Sequence, residues 1–395
     1  MPRVLQIINR LNLGGPTFIA GYLAAYLGEG YETMLVAGMK DDSEESSEYI
    51  VRNMGIEPVF IDNMHREINF KADRAAYKQL DRIIKEFKPD IVQTHAAKAG
   101  TLGRLAAINN NVPVILHTFH GHVFEGYFSP LKTKIFLEIE RYLAKRSSGI
   151  IAISNEQKKD LAWKFKIDTA ERTFVMSLGI DLDRFTVDQT DKRNLFRKLY
   201  NIDEECIAVG IIGRLVPIKN HQLFIDTWAK VIKSTDKIVH AFIIGDGEIR
   251  KQVEKMCTAA GLLFNTPENK AEGATLTFTS WIKEVDIPVA GLDIIALTSI
   301  NEGTPVSLIE AQAAGKAIVS TEVGGIRDIV IEFKTALLSK LSDPEQLLTN
   351  LLEVIENENL RKGLGENGPT FVQSKFGYMR MVNDHKNLYE RLLNS

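Results

Sequence analysis

Cysteine is nearly absent from this 395-residue chain, with Cys206 and Cys257 the only two. That count excludes a disulfide framework and a cysteine-rich zinc site, and it suits a reducing compartment. Long apolar runs are missing as well. The N-terminal stretch MPRVLQIINRLNLGG meets polar residues and glycines within a few positions. It reads as neither a signal peptide nor a membrane span, so a cytoplasmic protein is expected. No sign of charge dominates either: 48 Lys and Arg face 51 Asp and Glu, a formal charge of -3. Nothing in that balance calls for a nucleic-acid partner. The front is slightly basic, with 23 basic and 21 acidic side chains in residues 1–180 against 25 and 30 in the remainder.

What is present describes a folded protein. A hydrophobic fraction of 45% and a charged fraction of 25% exclude disorder, collagen and a coiled coil. The length exceeds what one hydrophobic core usually serves, so two domains are expected. Short β-branched runs (VLQII, TMLVAG, PVFID, DIVQTH, PVILHTF, GIIAIS) alternate with helix-length amphipathic stretches at 16–27, 71–87, 100–109 and 131–145. Such alternation marks strand-helix-strand units and a parallel sheet covered on both faces. After Leu178 the chain turns polar and charged over GIDLDRFTVDQTDKRNLF, the expected crossing between domains. The rhythm then restarts with CIAVGIIG, HAFIIGDG, TLTFTSW, DIIALTS and AIVST, separated by helices that include 222–232 and 249–259. Residues 262–274 read as a surface insertion. A last helix, 378–393, carries Met381, Val382, Leu388, Leu392 and Leu393, enough apolar surface to dock.

In open parallel sheets, ligands bind beyond the C-terminal ends of the strands. There, DIIALTS gives way to NEGTP. Thr304 is expected to cap a helix with Pro305 as its first residue, and Gly315 to stop it. The free N–H groups near Val306 and Ser307 favour phosphate. Glu302 precedes that terminus and Glu310 follows it by one turn, so both carboxylates can point at one ligand. Ionised carboxylates accept hydrogen bonds from vicinal hydroxyls, each contact worth roughly 1.5–3 kcal/mol. A carboxylate about 7 Å from a phosphate would cost about 2 kcal/mol at an effective dielectric of ~20, so a cation is required. CIAVGIIG runs into RLVPIKN, and supplies Arg214 as a bidentate grip and Lys219 as a compact charge in the same layer.

Taken together, GRLVPIKN with Gly213, FIIGDGEIR, the spacing of Glu302 to Glu310 and AAGKAIVSTEVGGIRDIV resemble glycosyltransferase family 4 over essentially the whole chain. The resemblance implies an α/β, GT-B fold: two facing Rossmann-like domains with parallel sheets and an interdomain cleft. Residues 1–180 would form the acceptor-side domain, completed by the helix in 378–395, and residues 181–377 the domain that binds a nucleotide-sugar donor. It implies retention of anomeric configuration by front-face attack, with the leaving phosphate assisting the acceptor, so no protein nucleophile or base is named. Glu302 would contact the donor sugar, Glu310 the ribose, and Arg214 with Lys219 the diphosphate. Backbone N–H groups of Gly303, Thr304, Pro305's neighbour Val306 and the turn around them would complete the cradle, and Trp281 would lie near the base. No cofactor or metal is implied, and a uridine diphosphate sugar is the expected co-substrate.

In the first half, Gly14 and Gly15 follow the first strand and let backbone approach a ligand. Their spacing is not the dinucleotide pattern, which gives hydride transfer no support. HTFHGHVFEGYFSP holds three histidines; the resemblance singles out His120 as a residue near the donor sugar, while His117 and His122 read as structural. This segment looks most like bacterial enzymes acting on cell-surface glycans, with a glycan or lipid-linked glycan as acceptor. The string Asp181, Asp183 reads as turn chemistry rather than a metal site. Helix LKTKIFLEIERYLAKR carries Lys132, Lys134, Arg141, Lys145 and Arg146; it is either a solvated face or a peripheral contact with an anionic membrane. Two other classes share the fold: a non-hydrolysing sugar-nucleotide epimerase, which lacks the paired glutamates, and a non-catalytic sugar-nucleotide binder.

Overall fold

The structure, a computed structural model, describes residues 1–12, 14–39, 46–65, 69–121 and 130–395. The chain divides into two compact units, Met1–Ile180 with Phe376–Ser395, and Asp181–Lys375. His122 lies outside the described residues.

The first unit is built on a seven-stranded parallel sheet: β1 (Arg3–Ile8), β2 (Glu32–Gly38), β3 (Val59–Ile61), β4 (Ile91–His95), β5 (Val114–Phe119), β6 (Gly149–Ala152) and β7 (Thr173–Val175). Their order across the sheet is β3-β2-β1-β4-β5-β6-β7. Near-continuous apolar strands follow from burial on both faces. On β1, Leu5 and Ile7 enter a cluster with Leu80, Ile84 and Ala106, while Val4 enters another with Ile19, Leu23 and Leu116. That alternation places one helix layer on each side of the sheet. The helix Tyr378–Leu393 belongs to the second cluster through Met381, Val382, Leu388 and Tyr389, and Tyr378 stacks on Tyr22 at 4.7 Å. A buried ion pair, Arg104 to Glu140 at 2.6 Å, ties helix Ala97–Asn109 to helix Pro130–Ala144.

The second unit repeats the plan with β8 (Ile207–Ile212), β9 (Val239–Ile244), β10 (Phe264–Asn265), β11 (Leu276–Ser280), β12 (Ile294–Leu297), β13 (Ala317–Thr321) and β14 (Ala336–Ser339). The order is β10-β11-β9-β8-β12-β13-β14, again all parallel. Strand order reverses direction between β1 and β4 in one sheet and between β8 and β12 in the other, which opens a crevice at each switch point. Trp228, Phe224 and Phe278 anchor the core of the second unit. Both cysteines are buried, and burial pushes their thiols up, Cys206 to about 11 and Cys257 to about 12. They are packing residues.

Three short strands, β7, β10 and β14, are not among those expected from the apolar runs. β7 is three residues long, and β10 lies inside the supposed insertion 262–274, where it extends the sheet edge on β11. That segment is therefore part of the fold. Its Leu262 is buried, and its turn closes through Thr266 and Asn269.

Candidate active site

The crevice of the second sheet lies where the loops after β8 and β12 leave neighbouring strands. The two loops are knitted together. Ile300 donates its N–H to the Ile218 carbonyl at 2.8 Å, and the Thr298 hydroxyl donates to the carbonyls of Lys219 and Asn220, each at 3.1 Å. On that scaffold Lys219 Nζ sits 2.6 Å from Glu302 Oε1, and the Ser299 hydroxyl donates to the same oxygen at 2.6 Å. Both charged side chains are mostly shielded from water, at 18% and 13% exposure. A cation and a hydroxyl thus hold the same carboxylate oxygen, and no hydrogen bond reaches Oε2 among the described residues. Arg214 stands apart, exposed, with no ion pair among the described residues.

Backbone geometry explains why glycines frame these loops. Gly213 has φ of 151°, a backbone conformation that residues with a Cβ rarely adopt, although a Cβ there would make only ordinary contact with the Lys219 side chain, 3.5 Å from Cε. Gly324, at φ of 51°, packs so tightly under the glutamate loop that a Cβ would lie 1.9 Å from the Glu302 carbonyl oxygen. The neighbouring Gly325 donates its N–H to that same oxygen at 2.9 Å. The turn after β13 is thereby the floor on which Glu302 and Gly303 rest. Neither Ser299 nor Gly324 is singled out by sequence reasoning; the Gly-Gly pair following a strand was the available signal.

The helix after this loop starts one residue later than expected. It spans Val306–Ala313 with Pro305 at the N-cap, extended at ψ of 103°, and no side chain caps it. Thr304 therefore does not serve as a cap, because proline cannot itself be followed back into a Thr304-capped first turn when its own backbone is extended. The N–H groups of Val306 and Ser307 have no intrahelical carbonyl to bond. At the other end the stop is as expected: Gly315, at φ of 67°, donates to Gln312 O at 3.0 Å, and Lys316 donates to Ala311 O at 2.9 Å.

Glu310, one turn into that helix, is largely buried. Burial pushes its carboxyl up to about 7; Arg184 pulls the other way and Asp286 adds to the rise. Arg184 is itself bonded to Asp286, which Lys192 also approaches at 3.1 Å. Trp281 follows β11 and is 63% exposed. Asp181 and Asp183 form a turn, with the Asp183 N–H on Asp181 Oδ1 at 3.2 Å.

In the first unit, Gly14 and Gly15 open the helix Gly15–Tyr26 beyond β1; Gly14 is in extended backbone. His117 points into the core, with Nδ1 2.8 Å from the Thr94 hydroxyl, and Gly100 makes room for its ring. His120 lies at the end of β5 and pairs with His95 at the end of β4, Nε2 to Nδ1 at 2.9 Å. Burial pushes the His120 ring down to about 3 and holds His95 well below the ordinary range. Both rings are neutral at pH 7. The pairing of His120 with His95 was not visible in the sequence, since 25 residues separate them.

Residues 14–184 match the family described as Glycosyltransferase Family 4, and residues 192–371 that described as Glycosyl transferases group 1. The chain belongs to the family 4 glycosyltransferases. Among its relatives is the UDP-Gal:alpha-D-GlcNAc-diphosphoundecaprenol alpha-1,3-galactosyltransferase of Escherichia coli, 26% identical, with 84% of this chain and 82% of that one aligned. The capsular polysaccharide biosynthesis glycosyltransferase CapM of Staphylococcus aureus is also 26% identical, covering 84% of each chain. In three dimensions the chain resembles Anabaena Alr3699/HepE, solved in complex with UDP, with a TM-score of 0.79 at 19% identity over 98% of this chain and 100% of that one. The fold of this glycosyltransferase is thus GT-B, with two Rossmann-like α/β units, as the motifs implied.

Proposed function

We propose that this glycosyltransferase moves a sugar from a uridine diphosphate sugar to a glycan or lipid-linked glycan of a bacterial cell surface, with retention of configuration and without a metal. The observation that carries this reading is the Lys219–Glu302 pair at 2.6 Å, with Arg214 exposed in the same loop after β8 and without an ion pair among the described residues. Two cations at a strand-end crevice offset the carboxylates that would otherwise repel a diphosphate. Arg214 and Lys219 stabilise the charge that builds on the departing diphosphate, and the free oxygen of Glu302 accepts from a sugar hydroxyl. The N–H groups of Val306 and Ser307 add to the cradle around Gly303, Thr304 and Pro305. Glu310 takes the ribose and Trp281 flanks the base. The relatives whose names specify UDP-galactose and a diphosphoundecaprenol acceptor support a donor and acceptor of these classes. Incubation with a panel of uridine sugars and a lipid-linked acceptor, followed by proton NMR of the product, tests the reading. An axial glycosidic linkage from an axial donor is expected; an inverted product would refute the retaining route.

A peripheral membrane contact is part of the same proposal. No helix among the described residues is long and apolar enough to cross a membrane. On helix Pro130–Ala144, however, Ile135, Ile139 and Tyr142 lie on one face and remain 53%, 37% and 50% exposed, beside Leu105. Lys134, Lys145 and Arg146 flank them in solvent, with the Arg146 guanidinium 3.9 Å over the Tyr142 ring. Apolar anchors rimmed by cations suit an anionic bilayer, each cation contributing about 1 kcal/mol near the surface. Co-sedimentation with vesicles rich in phosphatidylglycerol is expected, with loss on Ile135→Glu and in high salt. Equal binding to neutral vesicles would contradict the electrostatic part.

A further inference from the structure

A chain of buried polar groups runs through the first unit from the C-terminal helix to His120. At its hub the Tyr389 hydroxyl lies 2.5 Å from Gln93 Oε1 and 3.1 Å from Gln6 Nε2. One hydroxyl proton serves only one of the two. O–H···O bonds run from about 2.5 to 3.0 Å and N–H···O bonds from about 2.7 to 3.2 Å. Tyr389 therefore donates across the short contact and accepts an amide N–H across the long one. Turning both amides over would place an N–H···O contact at 2.5 Å and an O–H···O contact at 3.1 Å, each outside its range. The remaining amide group of Gln93 donates to the Thr118 hydroxyl at 2.9 Å, in the same sense.

The direction set at Tyr389 propagates. With its amide nitrogen on Tyr389, Gln6 presents its carbonyl oxygen to His95 Nε2 at 2.9 Å. A carbonyl only accepts, so His95 Nε2 carries the proton and Nδ1 is a lone pair. His120 Nε2, 2.9 Å from that lone pair, must donate to it. The one proton of a neutral ring is then used, and His120 Nδ1 is left as a lone pair that is buried and has no partner among the described residues. Burial keeps both rings neutral. His385, also in this pocket, donates from Nδ1 to the Met381 carbonyl at 2.9 Å, so its own Nε2 is bare and offers His120 no proton.

We propose that Tyr389, acting through Gln6 and His95, sets His120 Nδ1 as a hydrogen-bond acceptor that takes a carbohydrate hydroxyl in preference to a phosphate oxygen. Phosphate and carbonyl oxygens are acceptors and find no proton there. Only the source of the hydroxyl rests on the proposed activity; the polarity of the chain does not. Tyr389 is a positioning residue, placed by the C-terminal helix that returns to the first sheet.

The test is long-range nitrogen–proton correlation NMR on the full chain labelled with 15N-histidine at pH 7. His95 and His120 are both expected as single Nε2–H tautomers, and an Nδ1–H ring or a mixture at either position overturns the polarity. No ligand enters that experiment, so its failure is distinct from failure of the enzymatic reading. In Tyr389→Phe the hub proton is gone, and the His120 signals are expected to report a mixture of tautomers. Gln93→Leu, which removes the acceptor of that proton, is expected to turn the proton toward Gln6 and reverse both rings to Nδ1–H. Unchanged His120 signals in either folded variant would overturn the role of Tyr389.

Discussion

Glu302→Gln is expected to cut sugar transfer by roughly two to three orders of magnitude, the usual effect of removing one preorganised electrostatic contact to a transition state, with the fold intact. The carboxylate carries a charge that a positive sugar centre needs and an amide does not supply. Folding is spared because the side chain's anchors, Lys219 and the Ser299 hydroxyl, both meet one oxygen at 2.6 Å and an amide oxygen can replace it. Arg214→Ala should match this loss through the other partner of the reaction. Its guanidinium is exposed and has no ion pair among the described residues, so stability should move by less than about 0.5 kcal/mol, while binding of the diphosphate weakens ten- to a hundred-fold, about 1.5–3 kcal/mol. Lys219→Met should behave differently, since it strands Glu302 without its cation in a shielded site. Its effect and that of Glu302→Gln should therefore fall short of adding. Steady-state rates and thermal melts of the single and double variants check all three; near-normal turnover in Glu302→Gln or Arg214→Ala would sink the assignment.

Glu310→Gln is expected to move stability and affinity in opposite directions. The carboxyl titrates near 4.5 when unfolded and is pushed up to about 7 by burial in the folded chain. Between these values the folded state holds the extra proton, so stability falls as pH rises through that window and the cost is complete above about 7. Its size at pH 8 is up to ~3 kcal/mol at 1.36 kcal/mol per unit. Glutamine cannot ionise, so the variant should melt higher than the wild type at pH 8 and about equally at pH 5. UDP should meanwhile bind roughly tenfold more weakly, a neutral hydrogen bond replacing a charge-assisted one at the ribose. Such a trade marks a residue kept for binding at the expense of folding. Equal melting temperatures at both pH values, or unchanged UDP affinity, would count against it.

The parts legible in the sequence are those written in local pattern. Parallel strands buried on both faces print as apolar runs, so β1, β8 and β12 are read directly, and the stop at Gly315 follows from its left-handed backbone. Glu302 and Glu310 stand out because one turn of helix separates two acids behind a strand. Edge strands such as β10, two residues long, leave no periodicity to read. The start of the helix at Val306 depends on the conformation of Pro305, which composition does not determine. Contacts across the sheet are invisible for a stronger reason. Gln6 and Tyr389 are 383 residues apart, and Arg184 and Asp286 are 102 apart; the topology alone brings them together. His120 was found by resemblance, but its partner His95 and the tyrosine behind it emerged only from the fold.

Under the proposed function, the strand-end set of the second unit binds a nucleotide diphosphate through Arg214 and Lys219. Calorimetric titration of UDP into the full chain in the presence of EDTA addresses it most directly. Saturable binding to one site is expected, weakened at least about tenfold in a normally folded Arg214→Ala variant. Equal affinity in the two proteins, or no binding until a divalent metal is restored, would contradict the account.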